Sequence, residues 1–387
     1  MDNMQTGKII DFIRITFEQP QDFIPLHAPY FGGNEKRYVT DTIDSTFVSS
    51  VGAYVTRFEE LMMEITGAKF AIATVNGTTA LHLALVLAGV KYRDEVITQP
   101  LTFVATANAI AHAGGIPVFV DVDLDTMGLS PVALEAFLQE FTTINDKGEC
   151  INKVSGRRIA ACVPMHTFGF PLRIEEISKI CYKYHIALVE DAAESLGSYY
   201  KGRHTGTFGL LGTFSFNGNK TVTCGGGGAI VTNDEKIARH AKHISTTAKQ
   251  PHAWEFMHDE IGYNYRMPNL NAALACAQLE QLESILDDKR ELANLYAQFF
   301  ADSDVKFVRE IDDTKANYWL NTIILPDQMQ QEQFLTETNS QKVMTRPIWK
   351  LMSKLPMYGD CQRDELKNAI WLEERVVNLP SSVRKIK

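Results

Sequence analysis

Three side chains follow one another in an order that suits one chemistry. Asp191 closes the apolar run His185-Ile-Ala-Leu-Val-Glu-Asp191. Ser215 sits in a second apolar run, Leu211-Gly-Thr-Phe-Ser-Phe216, and Lys220 follows shortly after. A buried acid keeps a pyridine nitrogen protonated, a small hydroxyl holds a phosphate, and a lysine forms an imine with a carbonyl. Acid, hydroxyl and lysine in this order suggest an enzyme that holds a phosphorylated pyridine cofactor.

Neighbouring residues fit that reading without demanding it. Asn76-Gly77-Thr78-Thr79 lies between an apolar run and a helical pattern, where free N–H groups favour an anion. The same residues also make a plain helix cap. Ala192-Ala193, after Asp191, are small enough for a flat ring to lie close. Phe103 at a strand exit is either core or a stacking face. Gly225-Gly-Gly-Gly228 permits close backbone approach or a flexible loop. Lys220 is not a P-loop lysine, because Gly218-Asn-Lys220 lacks the Gly-Lys-Ser/Thr ending. His166 follows another apolar run and either lines the site or satisfies a turn. His240, His243, His252 and His258 show no carboxylate partners at ligand spacing. They read as a polar, mobile segment, and no metal is expected.

These groups must be held by something regular. Strand-like runs are predicted at 70–75, 95–99, 116–120, 159–163, 186–190, 211–216 and 228–232. Helical patterns at 79–88, 105–113, 131–141, 174–184 and 235–243 lie between several of them. Near-continuous apolar strands alternating with helices predict an α/β fold with a largely parallel sheet covered on both faces. Ligands in such sheets sit beyond the carboxyl ends of the strands, where Asn76–Thr79, Asp191 and Lys220 all fall. Beyond about residue 270 a long helical pattern at 271–296 precedes strand-like segments at 317–325 and 342–348. This predicts a second, smaller α+β domain. Residues 8–17 read as a short helix or strand that packs.

Composition bounds the partners. The 387 residues are 45% hydrophobic and 22% charged, ordinary for a globular protein. A net charge of −9 argues against a general nucleic-acid binder. The six cysteines form no Cys-x-x-Cys pair. The start, Met-Asp-Asn-Met-Gln, lacks a basic, apolar leader, and no apolar stretch is long enough to cross a bilayer. A reduced, cytoplasmic location and no membrane partner are expected.

Read together, the motifs resemble the DegT/DnrJ/EryC1/StrS family of sugar aminotransferases, which have the type I pyridoxal-phosphate fold. The stretches that carry the resemblance are Asn76-Gly-Thr-Thr-Ala-Leu-His-Leu-Ala-Leu85, Thr102-Phe-Val-Ala-Thr-Ala-Asn108, Val189-Glu-Asp-Ala-Ala-Glu194, Ser215-Phe-Asn-Gly-Asn-Lys220, Gly227-Gly-Ala-Ile-Val-Thr-Asn233, Gly262-Tyr-Asn-Tyr-Arg-Met267 and Asn378-Leu-Pro-Ser381. The resemblance implies a large domain with a seven-stranded sheet over 46–270, a small domain over 271–387, and an N-terminal segment, 1–45, packed on the small domain.

It also implies roles. Lys220 carries the cofactor, pyridoxal 5′-phosphate, and Asp191 pairs with its ring nitrogen. Phe103 and Ala193 flank the ring, and Glu194 stands near its hydroxyl. Gly77, Thr78 and Ser215 hold the phosphate. Asn264 reaches the cofactor of a second subunit, so a homodimer is expected. Gly226 and Ser353 depart from the Glu and His that many members carry, which leaves the sugar side open. The N-terminal extension and Thr345-Arg-Pro-Ile-Trp349 look most like enzymes that aminate C4 of a UDP-linked 4-keto-6-deoxy-N-acetylhexosamine. Those enzymes serve legionaminic acid or bacillosamine-type pathways, with glutamate as amino donor. Arg266 and Arg346 are then expected near the sugar nucleotide, or in structural ion pairs. Two rivals are a dehydratase of the same fold, disfavoured because Lys220 is kept, and a non-catalytic regulator.

Overall fold

The computed structural model describes residues 3–384. All seven predicted strands form, each within about two residues of expectation: β1 Phe70–Thr74, β2 Glu95–Thr98, β3 Ile116–Phe119, β4 Ile159–Val163, β5 Ala187–Asp191, β6 Leu211–Ser215 and β7 Gly228–Thr232. They make one sheet in the order β1-β7-β6-β5-β4-β2-β3. Only β7 runs against the rest, pairing antiparallel with β1 and β6. The carboxyl ends of β1, β5 and β6 therefore share one edge, where the antiparallel β7 begins.

Alternation along the strands explains the layers. Ile72, Val96, Ala161, Val189 and Ile230 face one side. There they pack on α4 Gly77–Leu87, α5 Val104–His112 and α8 Glu235–Ser245. Their neighbours Ile97, Cys162 and Leu188 face the other side. That side is covered by α6 Pro131–Phe141 and α7 Ile174–Lys183. Ala73, Phe214 and Val231 complete it against α3 Ala53–Thr66 and α9 Asn269–Leu279.

The segment at 8–17 belongs to a helix, α1 Asn3–Thr16, whose Ile9, Ile10 and Ile13 are buried in the small-domain core. The long pattern at 271–296 is two helices rather than one. α9 ends at Leu279 and α10 spans Leu282–Phe299. The two bury different faces: Ala272, Ala275 and Cys276 join the sheet cluster, while Leu292, Ala293 and Tyr296 join the small domain. At the break, Gln281 donates back to the Ala277 carbonyl, 3.1 Å, and out to Glu35, 2.6 Å. Glu35 opens α2 Glu35–Asp44, which packs on α9.

The small domain carries β8 Lys306–Phe307, β9 Asn321–Ile324, β10 Arg346–Pro347 and β11 Val376–Leu379, ordered β8-β9-β11-β10. The strand-like run at 342–348 is only this two-residue edge strand. Val343 pairs instead with Ile24 of the N-terminal segment. No helix among the described residues is long and apolar enough to cross a membrane.

Candidate active site

The site forms where β1, β5, β6 and β7 meet. Register puts Thr74 and Ser215 on either side of Gly228. Asn76 caps α4, its Oδ1 accepting from the Thr79 N–H at 2.9 Å. Gly77 and Thr78 then open the helix with N–H groups that have no carbonyl a turn behind them. A Cβ at Gly77 would stand 2.7 Å from Ser215 Cβ. Glycine is what lets the helix start close on the Ser215 hydroxyl, leaving a small polar cradle suited to an anion.

Asp191 ends β5, almost fully buried. Thr106 on α5 donates to its Oδ2 at 2.7 Å, and the Ala193 N–H to Oδ1 at 3.2 Å. Burial raises its carboxyl above the usual range, although both hydrogen bonds and the charge of Lys220 pull it back. The pocket thus holds a carboxylate that a positive ring nitrogen would stabilise.

Lys220 leaves the turn after β6, its side chain only 12% exposed. Its Nζ lies 3.0 Å from Glu194 Oε1 and 4.0 Å from the centre of the Trp319 ring. Glu194 Oε2 accepts from the Phe168 N–H at 2.9 Å. Burial pushes the Glu194 carboxyl up to about 7, with Lys220 partly offsetting it. Phe168 and Tyr318 hold positive φ, 56° and 47°. Such backbone is costly and persists where surrounding contacts enforce it. One enforcing contact is Asn317, whose Nδ2 donates to the Glu194 and Leu196 carbonyls at 2.8 and 2.9 Å. Behind Trp319, buried Lys289 donates to the Trp319 and Ser381 carbonyls and meets His27 Nε2 at 3.0 Å. Desolvation lowers this amine to about 7.

Phe103 caps α5 and is half exposed, with Trp349 at 6.5 Å between ring centres. Trp349 also lies 4.8 Å from Phe168. The turn Met352–Lys354 docks through Met352 N on the Pro100 carbonyl, 3.0 Å, and contains the buried Ser353. The small domain therefore leans on the loop that carries Phe103. Trp319 and Thr106 are the site residues that sequence reasoning missed. The aromatic pair Tyr318-Trp319 beginning a predicted strand was the available signal for one. A threonine on an apolar helix face offered none for the other.

Other expected residues lie elsewhere. His166 does not face the pocket. It is fully buried, its Nε2 3.1 Å from Glu190 Oε2 and its Nδ1 accepting from the Leu172 N–H at 3.3 Å. Alternation along β5 turns Glu190 away from the face Asp191 uses, and His166 goes with it. Asn264 is exposed, and Arg266 Nε donates to it at 3.3 Å. Arg346 is exposed on the edge strand beside Asn339, 3.3 Å. Among the described residues, no hydrogen bond or ion pair joins either arginine to the Lys220 group. Gly226 has nothing nearer than 3.9 Å around a built Cβ, so the loop has room for a side chain there.

The donor set fits a phosphorylated pyridine aldehyde: an anion cradle, a buried acid and a buried amine held by Glu194 and Trp319 on the same sheet edge. Comparison with known proteins agrees. The sequence model of the DegT/DnrJ/EryC1/StrS aminotransferase family matches residues 29–385. GDP-perosamine synthase of Escherichia coli O157:H7 is 37% identical over 361 residues, 93% of each chain. EpsN of Bacillus subtilis (strain 168), described by name as a pyridoxal phosphate-dependent aminotransferase, is 37% identical over 87% of this chain and 84% of its own. Among solved structures, Helicobacter pylori PseC, an aminotransferase involved in the biosynthesis of pseudoaminic acid, superposes with a TM-score of 0.83. It is 25% identical over 93% of this chain and 94% of its own.

Proposed function

Because the chain belongs to the DegT/DnrJ/EryC1/StrS aminotransferase family, whose members use pyridoxal phosphate, we propose that it transfers an amino group from glutamate to C4 of a UDP-linked 4-keto-6-deoxy-N-acetylhexosamine. The observation that carries the amino-transfer reading is the Lys220 amine, fixed 3.0 Å from Glu194 beneath Trp319 on the sheet edge that holds Asp191. Pyridoxal phosphate bound there supplies the electron sink for amino transfer.

The chain's own groups do the rest. Gly77, Thr78 and Ser215 hold the phosphate. Asp191 holds the positive ring nitrogen, and Phe103 and Ala193 bound the ring. Lys220 would hold the cofactor's carbonyl carbon through Nζ, and the same amine, when free, is placed to hold and return the transferred proton. Glu194 accepts a hydrogen bond from Nζ and keeps it oriented.

Alternation also supports a shared dimeric site. Tyr263 and Tyr265 stack at 4.9 Å, and His82 of α4 stands edge-on to both. Asn264 between them is exposed, which leaves it available to a second subunit.

The C4 and UDP assignments rest on the resemblance of the N-terminal segment and of residues 345–349. Trp349 of that segment stands beside Phe103. A GDP-linked sugar is the second reading, favoured by the relatives named GDP-perosamine synthase. Incubating the enzyme with glutamate and matched UDP- and GDP-linked 4-keto and 3-keto sugars, followed by NMR of the products, decides between them. Amination of the UDP-linked N-acetyl 4-keto sugar is expected. Turnover confined to a GDP sugar, or to a 3-keto sugar, overturns the assignment while leaving the amino-transfer chemistry intact.

A further inference from the structure

The four histidines that looked partnerless in sequence acquire partners in the fold. His240 and His243 lie three residues apart on one face of α8. Residues 246–264 leave α8 as an arm that doubles back on itself. Thr246 bridges Asn264, Lys249 bridges His258, and Gln250 N donates to the Met257 carbonyl at 2.8 Å. The return strand brings Asp259 and Glu260 against the two imidazoles. His243 Nε2 is 2.6 Å from Asp259 Oδ1 and 3.7 Å from Glu260 Oε1. His240 Nε2 is 3.0 Å from Glu260 Oε2.

We propose that His243, Asp259 and Glu260, with His240 recruited through its contact with Glu260, form a binding site for a divalent transition metal of the zinc class, which pins the arm to α8. A tetrahedral ion with bonds of about 2.0–2.2 Å places neighbouring ligand atoms roughly 3.3–3.6 Å apart. The His243–Glu260 separation, 3.7 Å, is near that spacing. The 2.6 and 3.0 Å contacts are hydrogen bonds that an ion would replace by opening them by less than about 1 Å, and the ligand atoms of His243, Asp259 and Glu260 all lie within 4.8 Å of one another. Two imidazoles with two carboxylates favour zinc over calcium or magnesium, which prefer all-oxygen shells. Gln250 donates to the other Asp259 oxygen, the kind of outer contact that orients a ligating carboxylate.

Isolated surface histidine–carboxylate pairs are common and contribute little. This cluster differs because both imidazoles converge on Glu260 from consecutive turns of one helix. The arm it would pin leads directly into Tyr263, Asn264 and Tyr265. Its far end exposes Trp254 and Phe256, each 78% accessible.

The test is zinc titration of the purified holoenzyme by calorimetry without amino donor, with cobalt as a spectroscopic probe. One ion per chain should bind. His240→Ala/His243→Ala should weaken binding by at least about tenfold, whereas His252→Ala and the partly exposed thiol's Cys361→Ser should not. Cobalt should give an intense tetrahedral d–d band without a thiolate charge-transfer band, a readout that requires no variant to fold. No binding, binding unchanged in the double histidine variant, or a thiolate band lost in Cys361→Ser would each overturn the proposal.

Discussion

At the scale of single residues, the site is governed by two buried acids with different tasks. Asp191 has two neutral donors and a carboxyl raised by burial. A positive ring nitrogen removes that strain, so cofactor binding and Asp191 ionisation support one another. Asp191→Asn keeps the shape and loses the charge. Breaking a buried ion pair costs about 3–5 kcal/mol, so the rate constant for amino transfer should fall on the order of 10²- to 10⁴-fold while cofactor still binds. Single-turnover absorbance measurements check this, and a near-normal rate would remove Asp191 from the chemistry. Glu194 is raised by burial from 4.5 to about 7. Across that window the folded protein keeps a proton that the unfolded chain has released. The group's contribution to stability is therefore fully present below pH 4.5 and lost as pH rises to 7. Glu194→Gln should flatten this decline in the cofactor-free protein. Denaturant titrations of both proteins at pH 5 and pH 8 measure it, and parallel profiles would refute the assignment.

The elements explain why some glycines are needed and others are not. A Cβ at Gly228 would stand 2.4 Å from the Asn76 carbonyl oxygen, where β7 crosses the start of the cradle. Gly226, two residues earlier, faces open space and lies outside the left-handed region. Gly228→Ala should destabilise by about 1–3 kcal/mol or more through overpacking and weaken cofactor binding. Gly226→Glu should change stability by no more than about 0.5 kcal/mol. Denaturant midpoints and cofactor titrations of the two variants should separate cleanly. Equal losses would mean that the loop tightens around Gly226 when cofactor binds. The same scale accounts for the split between α9 and α10, since each helix follows the cluster that buries its apolar face.

For the whole molecule, the question is how many chains complete a site. Asn264 is exposed between two tyrosines that pack on His82 of α4. If a second subunit's cofactor receives it, Lys220→Ala and Asn264→Ala proteins are each inactive for different reasons. Mixed under conditions of proven subunit exchange, they should recover roughly a quarter of wild-type activity, because half the dimers are hybrids with one intact site of two. Hybrids that form without any gain would confine each site to one chain.

Much was legible from sequence because the determining interactions are local. A strand buried on both faces must be apolar along its length, so the runs that became β1 to β7 announced themselves. Asp191 and Ser215 end such runs and Lys220 follows one, and the carboxyl edge of a parallel sheet gathers whatever lies at its strand ends. What tertiary structure alone decided is which way each side chain points and what meets it across the fold. His166 and Asp191 both lie at strand ends, yet His166 turns inward to Glu190. Trp319 lies over Lys220 from nearly a hundred residues away, and Thr106 reaches Asp191 from a neighbouring helix. His240 and His243 find Asp259 and Glu260 only because the arm folds back. Such pairings depend on chain closure in three dimensions, which periodicity and residue type do not encode.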